Sequence, residues 1–371
     1  MRVIVIGSGP CGLMTATSLR KFHPNMDVIL LEKDHDIGSR IKISGNGRCN
    51  FINKNLDSNK YSTSFVTHII SYQKDVLNFL DDTGFNYYFD NEGRGYPTSE
   101  SSLTLIKVFK DLIEQYGVEL RTDYLVTSIK LEAEQIIIND DLKCDYLIVA
   151  CGGISYLNER LNYNRIVSEL NLKVTPLTSS LSPLSVSSFP KNLENKKVKC
   201  QVSLLCNNRV LKTERGEVLF KKDGLSGIVI FNMSSYLARL HLNNYKGYQL
   251  SLNLLPDISD EKLNSLIQKN PLLDHILLKE LAEYVYSFGN QANTIRDLRF
   301  DVRGIYDFKN SQVTSGGVSL DQLNQNLSLK KDHRIYLGGE FIDVDGDCGG
   351  YNIGFALCSG YMIGKEIESE K

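Results

Sequence analysis

"RVIVIGSGPCGLMTATSLRKFHPNMDVILLEK", residues 2–33, holds the pattern on which the fold turns. The apolar run 2–6 reads as a strand buried on both faces, residues 10–22 as a helix, and DVILLE (27–32) as a second strand. Gly7, Gly9 and Gly12 stand at the bend between strand and helix in the spacing G-x-G-x-x-G. The three glycines serve different needs, in turn a tight bend, close approach of backbone to a pyrophosphate, and tight packing of helix on strand. Pro10 and Cys11 complete the first turn of the helix, whose free N–H groups and positive dipole end favour phosphate. Glu32 closes the second strand twenty residues after Gly12, where a carboxylate accepts from ribose hydroxyls and disfavours a 2′-phosphate. Strand, helix, strand and acid in register predict an adenine dinucleotide, FAD or NAD in preference to NADP.

The far end of the chain bears on that choice. RIYLGGE (334–340) returns to the style of a buried strand and ends in Gly339 and the acid Glu340, and GGYNIGFALCSGYMIGK (349–365) opens a helix. Many FAD enzymes bring such a late strand back to the flavin. N–H groups at the helix start are placed to stabilise negative charge on a reduced ring. A separate nicotinamide domain needs a second fingerprint, yet Gly45-x-Gly47 and Gly93-x-Gly95 lack the third glycine and the preceding strand. NAD(P)H, if it is the electron donor, is expected to dock transiently.

Between these ends the pattern changes. Residues 64–82 and 102–116 carry apolar residues at helical spacing, 118–131 and 135–139 read as strands, and CDYLIVACGG (144–153) suits a central strand. From about residue 170 apolar and polar residues alternate, at Val198, Cys200, Val202, Leu204 and Cys206 and again at Tyr248, Leu250, Leu252 and Leu254, as antiparallel strands with one wet face require. Residues 257–287 read as helical, with Asn270 and Pro271 as N-cap and first helical residue. The organisation expected is an α/β FAD-binding domain from residues 1–170 and 313–371, an inserted β domain from 171–256 and 288–312, and a helical subdomain at 257–287.

A chain of 371 residues with 42% hydrophobic content exceeds what one core usually organises. Its 42 Lys and Arg against 44 Asp and Glu give a net charge of -2, so no global field points to a nucleic acid or an anionic membrane. No signal peptide, no membrane-spanning apolar stretch, and eight cysteines without a C-x-x-C pair lead to the expectation of a soluble cytoplasmic protein with reduced thiols and no metal. One local exception lies between Lys191 and Lys222, where nine Lys or Arg face three acids. That density can track an RNA backbone, or it can be the solvated face of a sheet.

Several residues are candidates for chemistry. ISGNGRCN (43–50) can wrap a phosphate, present Cys49 as a redox thiol, or turn a corner. Beside the dinucleotide fingerprint it reads best as a second cofactor-wrapping loop, with Arg48 available to the pyrophosphate. Arg94 and Tyr96 can anchor an anionic or carbonyl substrate, or form a structural turn. Asp343, Asp345 and Asp347 form an acidic cluster in which Asp343 can transfer a proton, or they are turn formers. The D-x-D-x-D spacing lacks the twelfth-position acid of a calcium loop.

Taken together, GSGPCG (7–12), ISGNGRCN (43–50), GRGYPTS (93–99), GEVLFKKDGLSG (216–227), SGGVSL (315–320) and GGEFIDVDGDCGGYNIGFALCSGYMIGK (338–365) make the whole chain resemble the BaiN-like flavoproteins, also described as aminoacetone-oxidase-family or NAD(P)/FAD-dependent oxidoreductases. The resemblance implies a glutathione-reductase-type Rossmann FAD domain built from both chain ends, a barrel-like β insert, and a helical subdomain over the flavin. It also implies that Gly7 to Gly12, Glu32 and Lys33 hold the ADP half and that the backbone near Val126 meets adenine. Ser44, Gly45, Asn46, Gly47, Arg48, Cys49 and Asn50 would pass the pyrophosphate and flavin. Ala150, Gly152, Gly339, Glu340, Gly350, Tyr351, Asn352 and Ile353 would complete the site. Some relatives reduce a uridine of large-subunit ribosomal RNA to dihydrouridine, and others are linked to bile-acid or amine metabolism. Departures at Lys42, at Lys221 and Lys222, at Ile228 and in NLSLKKDHR (326–334) bear on substrate and partner more than on FAD.

The function expected is that of an FAD-dependent oxidoreductase acting on an unsaturated, amine or carbonyl compound. An RNA-modifying flavoenzyme and a flavin-binding redox sensor are the alternatives.

Overall fold

The structure, a computed structural model, describes residues 1–155 and 160–367. The chain divides into two compact units, Met1–Leu177 with Val313–Lys371, and Thr178–Gln312.

The first unit is organised by a six-stranded sheet in the order Ser328–Leu329, Asp332–Leu337, Tyr146–Val149, Arg2–Ile6, Asp27–Leu31 and Glu119–Arg121. The last five strands run parallel, with Ile4 opposite both Ile29 and Leu147. Val3, Ile4 and Val5 are fully buried, as a strand covered on both faces requires. The helix Pro10–Phe22 packs against Ser102–Tyr116 and Tyr351–Glu366. An antiparallel meander, Ile129–Leu131, Ile136–Ile138 and Leu142–Cys144, joins the edge strand to the central strand Tyr146–Val149. This is the Rossmann-type α/β architecture expected of the fingerprint.

Three expectations in this unit change in detail. The stretch 64–82 is two helices, Val66–Ile70 and Gln73–Asp81, because the Ser71 hydroxyl donates back to the His68 carbonyl and the chain turns at Tyr72. The run 118–131 keeps only Glu119–Arg121 and Ile129–Leu131 as strands. Its middle holds Asp123 at φ +54° and bonds backbone to backbone with the segment after the second strand, Tyr124 N–H to Glu32 carbonyl at 2.8 Å. Glu32 itself lies one residue past its strand.

The second unit is a closed antiparallel barrel of six strands, Leu184–Val186, Gly224–Ser226, Arg209–Lys221, Lys197–Cys206, Tyr248–Asn253 and Leu298–Ile305. Both alternating segments read from sequence are barrel strands, with Val202 opposite Leu252 and Leu204 opposite Leu250. Their buried side chains share one core with Val229, Met233 and Leu237 of the helix Ile228–Arg239. Leu263, Leu281, Val285 and Ile295 of three further short helices join that same core.

Asn270 does not begin a helix here. It is the C-cap of Asp260–Lys269, and the next helix starts only at Lys279. Pro271 disfavours helical backbone in the residue before it, and Leu273 at φ +64° stops a helix from continuing. Among the described residues no helix is long and apolar enough to cross a membrane. No group of three His, Cys, Asp or Glu among them is placed to hold a metal ion.

Candidate functional site

At the C-terminal ends of the parallel strands, where open α/β sheets bind ligands, the fingerprint loop does three things at once. A Cβ on Gly12 would stand 1.8 Å from the Gly7 carbonyl oxygen, so only glycine lets the helix sit on the strand. Gly7, at φ +99°, is pressed against the backbone of Ala150. Gly9, by contrast, has nothing within 4 Å of its missing Cβ: the space beside its backbone is open. Gly9 is also the N-cap of Pro10–Phe22, and no side chain caps that helix. Open backbone, uncapped N–H groups and the dipole end converge on one anion-binding place.

Glu32 is 8% exposed and takes the Ser8 N–H at 2.9 Å and the Ser8 hydroxyl at 2.5 Å on one oxygen and the Asp34 N–H at 3.0 Å on the other. Oε1, with a single donor, retains acceptor capacity for a ribose hydroxyl. Lys33 pairs with Asp34 at 2.6 Å. Val126 is buried, and Asn139 accepts the flanking Thr127 N–H and donates to the Leu125 carbonyl, while the backbone of Val126 has no partner among the described residues. A backbone edge left open in this way suits an adenine.

The second half of the site comes from the closing helix Tyr351–Glu366. Its N-cap Gly350 lies at φ +93°, and a Cβ there would stand 2.4 Å from the Ile52 carbonyl, so the turn needs glycine for both conformation and space. No side chain caps this helix either. The two helices meet through small residues: Cβ atoms on Gly360 and Gly364 would stand 2.3 Å from the Cys11 carbonyl and 2.6 Å from Ser18 Cβ. Cys11, Ala150 and Ala356 fill the junction, and the Gly339 N–H donates to Ser359 at 3.1 Å.

The side chain of Asn352 is held locally. Its amide accepts from the Gly346 N–H at 2.8 Å and donates to the Gly346 carbonyl at 2.9 Å, stapling the turn before the helix instead of reaching outward. Tyr351 offers its carbonyl to the Tyr61 hydroxyl at 2.9 Å, and Ile353 is half-buried beside it.

The loop Ser44–Asn50 is tightly wound, with Gly45, Asn46, Gly47 and Cys49 all at positive φ. Asn50 Oδ1 is sealed from solvent with no hydrogen-bond donor among the described residues. Cys49 is fully buried, and burial pushes its thiol up to about 12, which favours a packing role for it over a redox one. Arg48 lies 4.8 Å over the Tyr96 ring and 3.6 Å from Glu100.

Tyr96 is 4% exposed, and its hydroxyl, which is not sealed from solvent, has no hydrogen-bond partner among the described residues. Burial raises its pKa, and the nearby charges of Arg94 and Arg48 oppose that rise. The Arg94 guanidinium is held by Asp90 at 2.7 Å and Glu92 at 3.0 Å, so a substrate contact would have to share it with two acids.

Of the three aspartates, Asp345 is buried and accepts from the Ser315 hydroxyl at 3.3 Å, and Asp347 lies 3.8 Å from Lys60. Half-buried Asp343 donates its N–H to the Val318 carbonyl at 3.0 Å. Glu340 accepts the Thr314 N–H at 2.7 Å and the Ser155 hydroxyl at 3.3 Å on Oε1, while the Thr314 hydroxyl accepts the N–H groups of Ile154 and Ser155. Burial pushes the Glu340 carboxyl up, and the Arg40 guanidinium is the strongest influence in the other direction. Gly152, at φ +74°, precedes this cluster and borders open space.

Arg40 is the residue that sequence reading missed. It donates to the Ser155 carbonyl, and its Nη1 is sealed from solvent without an acceptor among the described residues. A basic residue between Glu32 and the GNG loop was the only signal in the sequence. Two uncapped helix starts, an open backbone at Gly9, a stranded donor at Arg40 and a stranded acceptor at Asn50 together fit an anionic dinucleotide whose ring both donates and accepts hydrogen bonds.

Comparison with known proteins agrees with this architecture. The chain is 24% identical to the 3-dehydro-bile acid delta(4,6)-reductase of Clostridium scindens, with 98% of each chain covered. It is 26% identical to the ribosomal RNA dihydrouridine synthase of Escherichia coli, over 99% of this chain and 98% of that one. A solved structure of an E. coli quinol fumarate reductase FrdA mutant matches with a TM-score of 0.51 at 11% identity, over 99% of this chain and 70% of that one, and shares the fold. Residues 1–366 match the model of the HI0933-like protein Rossmann domain, and the chain belongs to the HI0933-like family.

Proposed function

We propose that the chain is an FAD-dependent oxidoreductase that catalyses hydride transfer to or from an unsaturated, amine or carbonyl compound, with NAD(P)H docking transiently as electron donor. The observation that carries this reading is the seam of small residues that packs the fingerprint helix, uncapped at Gly9, against the closing helix, itself uncapped at Gly350. The flavin, when bound, supplies the two-electron chemistry. Backbone N–H groups of Cys11 and Gly12 hold phosphate, Glu32 holds ribose, and the Val126 backbone meets adenine. The N–H groups of Tyr351 to Ile353 favour negative charge at the ring end. Arg94 orients the substrate. Tyr96, with the Arg48 guanidinium over its ring and the charge of Arg94 nearby, delivers or accepts the proton, and Asp343 is the alternative proton carrier. A reducing, cytoplasmic setting is part of this reading.

Purified protein should be yellow, with a flavin absorption band and FAD released on denaturation. A colourless preparation that gains no band on incubation with FAD would sink the reading. Anaerobic bleaching by NADH or NADPH identifies the donor, and bleaching that no acceptor reverses would leave a sensor instead of an enzyme. Tyr96→Phe should lower turnover about 100-fold while flavin content holds, the usual scale for loss of a general acid.

A second reading, reduction of uridine in large-subunit ribosomal RNA, is favoured by exposed Lys199 and Arg209 on the barrel strands and by the name of the E. coli relative. The basic face is partly neutralised, with Lys196 on Glu280, Lys197 on Glu217, Lys212 on Glu214 and Arg215 on Asp257. Dihydrouridine counts in ribosomal RNA from cells with and without the gene decide this point, and equal counts would remove the RNA reading.

A further inference from the structure

The Arg94 guanidinium is held on two sides and open on the third. Arg94 begins the strand Arg94–Pro97, which pairs antiparallel with Ile52–Asn53, and its register partner Asn53 donates its side-chain amide to the Gly349 carbonyl at 2.9 Å. A Cβ on Gly349 would stand 3.9 Å from Arg94 Cγ. The stem of the arginine thus lies beside the turn that opens the closing helix. Asp90 fixes the head group: its Oδ1 accepts the N–H groups of Glu92 at 2.9 Å and Arg94 at 3.0 Å, and its Oδ2 accepts Arg94 Nε at 2.7 Å. The Gly93 N–H closes the same turn on the Asp90 carbonyl at 2.9 Å. Burial pushes the Asp90 carboxyl up, but the hydrogen bonds from Arg94 and Glu92 outweigh it and hold it below the usual carboxylate range. Glu92 takes Arg94 Nη1 at 3.0 Å. The third nitrogen, Nη2, has no partner among the described residues and is not sealed from solvent.

Nitrogens divided in this way leave one amino group to donate but little net positive charge to offer, since one cation faces two carboxylates. A ligand carboxylate at Nη2 would gain a hydrogen bond and meet two like charges, which is costly where groups are partly withdrawn from water. An uncharged carbonyl gains the bond without that repulsion. We propose that Asp90, with Glu92, makes Arg94 a selector for the uncharged carbonyl oxygen of a ketone- or amide-type substrate against a carboxylate. The inference rests on the oxidoreductase reading above and narrows its substrate class. Asp90 and Glu92 are positioning residues, and Arg94 Nη2 makes the contact. A guanidinium already held in place needs no reorganisation when the carbonyl arrives.

The test titrates flavin-loaded full chain, without reductant, with cinnamamide and cinnamate, which share an unsaturated skeleton and differ in charge at neutral pH. The shift of the flavin absorption band reports binding. Wild type should bind cinnamamide at least about 10-fold more tightly than cinnamate. In D90N the side-chain carbonyl can still accept the two turn N–H groups while the charge is gone, and the preference should move toward cinnamate by about 10-fold. E92Q, at a side chain two-thirds exposed, should move it the same way by about 2- to 5-fold, the scale of an exposed ion pair. R94Q should weaken cinnamamide, and D90N should have no further effect on the preference in that background. A preference unchanged in D90N and E92Q would overturn the proposal, as would wild type that favours cinnamate or binds neither compound. An equal loss of both ligands in D90N would also overturn it, since that result marks Asp90 as part of the turn alone. Should D90N not be recovered with flavin, E92Q decides, because its side chain takes no part in the hydrogen bonds of the turn. Wild-type chain that takes up no FAD would instead remove the underlying cofactor reading.

Discussion

The two units solve opposite problems. The barrel is closed by excluding everything but apolar side chains: Val202, Leu204, Phe220, Leu250 and Phe300 point into one core that its helices also share. The crevice of the first unit is built by subtraction. Its walls are glycine backbone, helix ends without caps, and polar atoms without partners. A barrel of this kind specifies its shape by filling space, whereas the crevice specifies a ligand by what it leaves unsatisfied.

Substitutions should therefore behave differently in the two places. The largest effect is expected from Gly12→Val, whose Cβ would overlap the Gly7 carbonyl at 1.8 Å: no soluble flavin-bearing protein should be recovered, and a normal flavin-to-protein ratio would refute the close-packing argument. Leu204→Ala removes a fully buried side chain from the barrel and should cost about 2–5 kcal/mol in chemical denaturation, while folded protein keeps its flavin. Glu32→Gln should act mainly on the ligand, weakening FAD by about 10- to 100-fold in titration, with a smaller fall in unfolding midpoint because the amide nitrogen cannot accept the Ser8 and Asp34 donors that the carboxylate holds.

A smaller contrast concerns alkaline pH. Burial pushes Cys11 to about 11 and Cys49 and Cys144 to about 12 in the first unit, and Cys200 to about 12 in the barrel, from an ordinary 9.0. The folded chain thus holds protons that the unfolded chain releases. The stability this represents is fully present below pH 9 and is lost as pH rises toward 11 to 12. Denaturation midpoints across that window should fall, and Cys49→Ala should flatten the fall. The smallest effect is expected from Lys199→Glu on the exposed barrel face, which should leave folding and flavin untouched. If ribosomal RNA is the substrate, it should reduce the salt slope of RNA binding by about 1.

Local signals carried much of the fold. The first βαβ unit, both alternating barrel strands and the closing helix were legible because period and glycine spacing act within a few residues. The helix Ile228–Arg239 was not, since IVIF at its start reads as a strand and only packing in the barrel core makes it helical. Site residues divide along the same line. Gly9, Gly12 and Glu32 announce themselves within one motif. Arg40 depends on Ser155, 115 residues away, and Asn352 stands in a motif that suggests an outward role although its amide is spent six residues back on Gly346. Cys49 sits in a motif that invites a redox role, and only its burial argues otherwise.

The seam between the fingerprint helix and the closing helix also sets a clock. Ser359 and Cys11, in contact at 3.4 Å, are 348 residues apart in the chain. At a synthesis rate of about 5–20 residues per second, the first helix is synthesised roughly 17–70 s before its partner. Until then Cys11 and the glycine-lined groove beside it face solvent or a chaperone, and one of the two anion-attracting helix ends does not exist. Acquisition of the dinucleotide is therefore a late event in the life of each molecule, following translation of the closing helix and completing the seam that the chain began with.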